Sequence, residues 1–217
     1  IYTADVTRLA RMAMTGVRWK EDLGLNVYGR LKVFATDPTK SNSGNIWAGL
    51  LATALNDGEP PVPADLPALL PQVTDYFAQM GYMEASSGDI FDNFLKQGMG
   101  ARPIIVGYEN QLVEFLKDNA AQAQAINDRI RVIYPEPTIF ASHPLISLTP
   151  ACARLTEALG DPRLMARAWS AHGFRTGLIG VENDPADLPF TRIPETISNV
   201  VPMPSVPVME AIIAALR

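Results

Sequence analysis

The chain has 217 residues, 47% of them apolar, and carries 18 basic against 23 acidic side chains for a net charge of −5. That apolar share is enough for a buried core in one large domain or two small lobes, and the acidic balance with no basic block argues against nucleic acid as a partner. One cysteine, Cys152, excludes an intramolecular disulfide framework and a thiolate metal cluster, and its place in the helical-looking stretch 151–159 leads us to expect a buried, inert thiol.

In chain order, Thr3-Ala4-Asp5 reads as the cap of a helix with Val6, Leu9, Ala10 and Ala13 on one face, ended by Gly16. The segment 19–24 leads on toward a strand at 31–35, followed by a helix over 45–56 in which Ile46, Leu50, Leu51 and Leu55 recur at helical spacing. After a proline-rich loop at 57–65 come helices at 66–80 and 88–97, the latter striped by Ile90, Phe91, Phe94 and Leu95. The short apolar run Pro103-Ile104-Ile105-Val106 predicts a strand over 103–107 covered on both faces, before a helix over 109–126 and a strand over 129–134. Strands alternating with helices predict an α/β fold with a mostly parallel sheet flanked by helices.

Beyond Tyr134 the pattern changes. Pro135 and Pro137 hold the chain extended, an apolar segment at 139–148 surrounds Ser142-His143-Pro144, and two short helices precede Gly173. The stretch reads as a crossover between lobes. Residues 177–207 are rich in proline and lack periodicity, and a last helix carries Val208, Ile212 and Leu216 on its apolar face.

The small-polar loop Thr36-Asp37-Pro38-Thr39-Lys40-Ser41-Asn42-Ser43-Gly44 sits between a strand and a helix. Such a loop aims N–H groups and hydroxyls at whatever lies above the helix N-terminus, a place suited to an anion or polar ligand, although the same residues also serve as plain helix caps. Glu84-Ala85-Ser86-Ser87-Gly88-Asp89 repeats the arrangement before the helix at 88–97, and Tyr108-Glu109-Asn110-Gln111 follows strand 103–107. All three are expected at the carboxyl edge of the strands, where α/β sheets gather ligands. His143 and His172 stand far apart without metal-ligand spacing, so structural roles are expected for both and no metal or cofactor is called for. There is no Gly-x-Ser-x-Gly elbow, no phosphate loop of the Gly-x-x-x-x-Gly-Lys type, and no carboxylate pairing that picks out a general acid and base.

Trp19-Lys20-Glu21-Asp22-Leu23-Gly24, the loop from Asp37 to Gly44, Gly107-Tyr108-Glu109-Asn110, Tyr134-Pro135-Glu136-Pro137 with His143-Pro144, and Ala171-His172-Gly173-Phe174-Arg175 occur in an order that resembles bacterial extracellular solute-binding proteins of the type II periplasmic-binding-protein superfamily. The resemblance implies a non-catalytic receptor component of a bacterial transport system, with a small polar or anionic solute held in an interlobe cleft. Ser41, Asn42, Ser43 and Gly44 are then the donors to the solute, Ser86, Ser87 and Tyr108 line the facing wall, and Thr138 reaches in from the crossover. It further implies residues 1–133 as a second lobe and 134–217 as hinge crossover and return to a first lobe, the start of which lies outside this sequence.

A periplasmic or extracellular location follows from the same resemblance, with a membrane transporter permease as partner and a homodimer left open. The opening Ile1-Tyr2-Thr3 has neither an initiator Met nor a leader pattern and is expected to mark processing or truncation. Two other readings stand beside this one: an effector-sensing domain of a transcription regulator, and an α/β enzyme using Glu109 or Asp89 as a base.

Overall fold

A computed structural model describes residues 1–98, 100–189 and 192–217. The chain forms two compact units: a loop unit made of residues 3–107, 135–141 and 199–217, and a helical unit made of 1–2, 108–134 and 142–198. The chain passes between units after Tyr134, next to the expected boundary, but the division into 1–133 and 134–217 does not describe the folded chain. The reason lies in the last segment, which rejoins the loop unit because its apolar helix needs that core.

In the loop unit, α1 (Val6–Met14) begins at Asp5, whose carboxylate accepts the Arg8 N–H at 2.9 Å. It buries Val6, Ala10 and Ala13, as the spacing predicts. The helix α2 (Asn42–Leu55) is apolar nearly all round, and Trp47, Ala48, Leu50, Leu51, Ala52 and Ala54 are all buried in it. Such a helix is stable only when enclosed, and it is packed by α1, by α3 (Leu66–Ala78) and by α9 (Val206–Ala215). Val208 and Ile212 of α9 are fully buried in this core, each contributing about 1.5–3 kcal/mol by leaving water. The last helix of this unit in chain order before the helical unit is α4 (Ser87–Gln97), anchored by Ile90.

The two expected strands at 31–35 and 103–107 meet in parallel, but through a single isolated bridge between Phe34 and Ile105. Phe34 donates to the Ile104 carbonyl at 3.0 Å and its own carbonyl accepts from Val106 at 2.8 Å. Farther back along the same segment Leu31 donates to the Val17 carbonyl at 2.7 Å, next to the antiparallel bridge of Arg18 and Arg30. The fold is α/β, yet among the described residues these segments do not build the expected mostly parallel sheet. Among the described residues the one ladder is the two-stranded sheet of β1 (Tyr2–Asp5) and β2 (Ile133–Glu136), and β2 starts four residues beyond the expected strand start because a helix occupies the chain through Arg129.

The helical unit contains α5 (Glu109–Asp118), α6 (Ala123–Arg129), α7 (Ala153–Leu159) and α8 (Pro162–His172). The expected helix over 109–126 is broken at Asn119, whose φ of −117° and ψ of 40° leave the helical region. Its side-chain amide donates to the Phe115 carbonyl at 2.8 Å and its N–H donates to the same carbonyl at 3.1 Å, which completes the end of α5. Gly173 closes α8 at φ 73°, and a Cβ there would lie 2.8 Å from Val113 of α5, so the left-handed turn and the close helix approach both require glycine. Cys152 is half-exposed, not buried as expected, with its Sγ 3.3 Å from the Thr149 hydroxyl, which helps hold the thiol below its ordinary pKa.

Candidate functional site

The loop at 36–44 starts where the Phe34 pairing ends. Thr36 is 1% exposed and its hydroxyl lies 2.7 Å from that of Ser43, which in turn is 3.0 Å from that of Ser41. Three hydroxyls thus form a chain running from the core outward, and Ser41 is its half-buried outer end. Asp37 organises the turn between them: one carboxylate oxygen accepts from Thr39 N–H at 2.9 Å and Thr39 hydroxyl at 2.7 Å, and the other pairs with Lys40 at 2.9 Å. Burial pushes the Asp37 carboxyl up, but the Lys40 ammonium and the Thr39 donors outweigh it and hold the group below the usual carboxylate range. The Asp37 carbonyl then accepts from Lys40 N–H and Ser41 N–H at 3.1 and 2.9 Å.

Gly44 fixes how tightly the loop folds onto α2. A Cβ at this position would stand 2.4 Å from the Thr36 carbonyl oxygen and 2.9 Å from the Pro38 nitrogen. No side chain fits there, so the sequence places its glycine where the loop backbone crosses the first turn of the helix.

Ser41 is the N-cap residue of α2, with extended φ −127° and ψ 136°, but its side chain makes no capping bond. Its hydroxyl is turned to Ser43 instead. Ser86 behaves differently: its Oγ accepts the Asp89 N–H at 3.1 Å, an ordinary cap for α4. The two loops therefore look alike in sequence and differ in structure, one capping its helix and the other presenting a hydroxyl chain beside it. Ser87 is half-buried in the first turn of α4 and Asn42 is exposed in the first turn of α2.

The two loops are joined through their backbones. Asp37 N–H donates to the Glu84 carbonyl at 2.8 Å. Glu84 itself is a residue whose importance the sequence does not signal, because its partners lie far along the chain. Its side chain is 4% exposed, pairs with Arg102 at 2.5 and 2.8 Å, and accepts from Asn93 at 2.9 Å. Burial raises the Glu84 pKa, yet Arg102 and Asn93 outweigh that and hold the carboxyl below its ordinary value. The Arg102 guanidinium lies 5.4 Å from the ring centre of Phe34.

Thr138 belongs to the same unit, and its backbone is committed to the chain end: its N–H donates to Asn199 at 3.0 Å and its carbonyl accepts from Val201 at 2.8 Å. Tyr108 belongs to the helical unit, where its N–H donates to the Gln111 side-chain oxygen at 3.0 Å at the start of α5. Glu109, which the sequence offers as a base, has both oxygens occupied. Arg175 donates to them at 2.7 and 2.9 Å, and the Tyr134 hydroxyl donates at 2.5 Å. Arg175 also reaches the Pro194 and Glu195 carbonyls and stacks 4.9 Å from the centre of Trp169, which is fully buried. Burial disfavours the Arg175 charge, but Glu109 outweighs it and its pKa is raised, while burial and the Glu109 charge drive the Tyr134 phenol upward. Glu109 is thus a structural ion-pair partner, and Asp89 is an exposed first-turn acid of α4.

A surface depression along α1 is lined by Asp5, Thr7, Arg8, Arg11, Met12 and Thr15. Thr7 donates to the Ala54 carbonyl, at the end of α2 opposite to Ser43. That end is about 16 Å from Ser43 at 1.5 Å per helical residue, so the depression is separate from the hydroxyl chain. No family model matches the chain, and neither a curated protein nor a solved structure matches it significantly.

Proposed function

We propose that the chain is a solute-binding receptor component, of the type II periplasmic-binding kind, that holds a small polar or anionic solute at the 36–44 loop. The observation that carries this reading is the Ser41 hydroxyl, which forgoes the cap of its own helix and terminates a chain of hydroxyls at the protein surface. A Ser whose purpose was stability would cap α2, as Ser86 caps α4. Ser41 and Asn42 supply donors, Ser43 and Thr36 hold Ser41 in place, and Gly44 lets the loop lie close on the helix. Neutral donors suffice for an anion because a helix N-terminus carries roughly half a positive charge.

The chain passes repeatedly between two compact units, an organisation that supports the receptor reading because solute receptors work by moving two lobes on crossover strands. On this reading the protein acts outside the cytoplasm, its partner is a membrane permease, and it performs no chemistry on the solute. A thermal-shift screen of the purified chain against oxyanions, amino acids, sugars and metal ions tests it, because a ligand that binds only the native state raises the melting temperature. The expected result is a rise with one chemical class of solute, and a flat response across all four classes contradicts it.

A further inference from the structure

We propose that Glu84 and Arg102 are positioning residues of the solute loop, an inference that rests on the receptor reading for its purpose but on the fold for its test. Glu84 faces both ways. Its backbone carbonyl fixes Asp37, the residue from which the Lys40 and Ser41 N–H bonds hang. Its carboxylate, buried and doubly held by Arg102 with Asn93 alongside, fixes its own place in the unit. Arg102 in turn lies over Phe34 and directly precedes the 103–107 segment that pairs with Phe34.

The 36–44 loop is therefore pinned at its root from two directions, by the Phe34 pairing below and by Glu84 beside it. A buried carboxylate held by an arginine contributes little net stability, because desolvation offsets much of the ion-pair attraction. An apolar residue at 84 fills the same space without that cost. Here the directed fork of Arg102 onto Glu84 sets the orientation of the Glu84 backbone, and so the angle at which Asp37 delivers Ser41 to the surface.

Amide hydrogen exchange on the intact chain separates this from a general stabilising role. E84A is expected to speed exchange in segments 36–44 and 84–89 by about tenfold or more, while the α3 and α9 amides, which pack the unit's core, keep their wild-type protection. R102A is expected to produce the same pattern, and E84Q, which retains one acceptor oxygen for Asn93 and one arm of the fork, to restore only part of the protection. Uniform acceleration through the whole loop unit, or no change in the 36–44 amides, overturns the proposal. If E84A unfolds, E84Q against R102K at lower temperature gives the same comparison, with Lys unable to form the fork. Because exchange is measured without solute, a failed ligand screen bears on the receptor reading and leaves this result standing, and the reverse also holds.

Discussion

The hydroxyls of Thr36 and Ser43 lie 2.7 Å apart with both residues buried, so Ser43 supplies the Thr36 hydroxyl with a partner while itself also reaching Ser41. Removing the Ser43 hydroxyl leaves that of Thr36 unsatisfied, which costs about 1–3 kcal/mol, whereas replacing both with apolar groups of similar shape is close to neutral. S43A is therefore expected to destabilise the chain by that amount, and T36V/S43A to recover part of the loss. S41A, at the half-buried end of the chain, is expected to cost less than about 1 kcal/mol. Urea denaturation of the four proteins measures the ordering; equal midpoints for S41A and S43A contradict it.

Gly44 predicts a second contrast. G44A forces a Cβ to 2.4 Å from the Thr36 carbonyl oxygen, and relief requires moving backbone. The expected loss is about 1–3 kcal/mol, the usual cost of overpacking. At Gly88, in the first turn of α4, an added Cβ would meet only the Ser86 Oγ, at 3.6 Å, and the backbone there has no positive φ. G88A is expected to be neutral or to gain up to about 1 kcal/mol through a less flexible unfolded chain. Melting temperatures below wild type for G44A and not for G88A are the expected result.

The loop and its glycine were legible in the sequence because they are local: a polar run between two apolar segments, with Gly where the backbone must pass close. The helices were legible for the same reason, and α2, α3 and α4 begin or end within a few residues of the spacing that predicts them. The sheet was not, because an apolar run such as 103–107 states that a segment is buried and extended, not how many of its amides find a partner strand. Nothing in local spacing pairs Glu84 with Arg102 or Glu109 with Arg175, since those contacts span 18 and 66 residues. The difference between Ser41 and Ser86 was also hidden, because a cap and a hydroxyl chain use the same residue types.

In the helical unit, Arg175 joins Glu109, Trp169 and the 194–195 backbone, with its side chain 16% exposed. R175M removes the charge that Glu109 faces and is expected to cost about 3 kcal/mol, as removal of one partner from a largely buried pair does. R175K is expected to recover little, since an ammonium lacks the planar fork that spans both carboxylate oxygens and stacks on Trp169. Chemical denaturation followed by tryptophan fluorescence measures both, and a full rescue by Lys contradicts the geometry.

Glu84 carries a pH prediction. Its carboxyl is held below the ordinary 4.5 in the folded chain. The stability this contributes is complete above the unfolded value and is lost as the pH falls through the lower folded one. The stability difference between wild type and E84Q is expected to stay constant from about pH 8 down to about pH 5 and to shrink below that. Denaturation midpoints across that range check it, and a difference that grows on acidification contradicts it.

If solute is held by the hydroxyl at the outer end of the Thr36–Ser43–Ser41 chain, deleting that hydroxyl weakens binding while changes in the separate α1 depression, lined in part by Arg11, do not. Isothermal titration with the best solute from the thermal-shift screen, on wild type, S41A and R11A, tells the two places apart. A hydrogen bond to a charged group contributes about 1.5–3 kcal/mol, so S41A is expected to bind at least about tenfold more weakly, with R11A unchanged. Undiminished affinity in S41A, or a loss in R11A alone, contradicts the assignment and moves the site away from the loop.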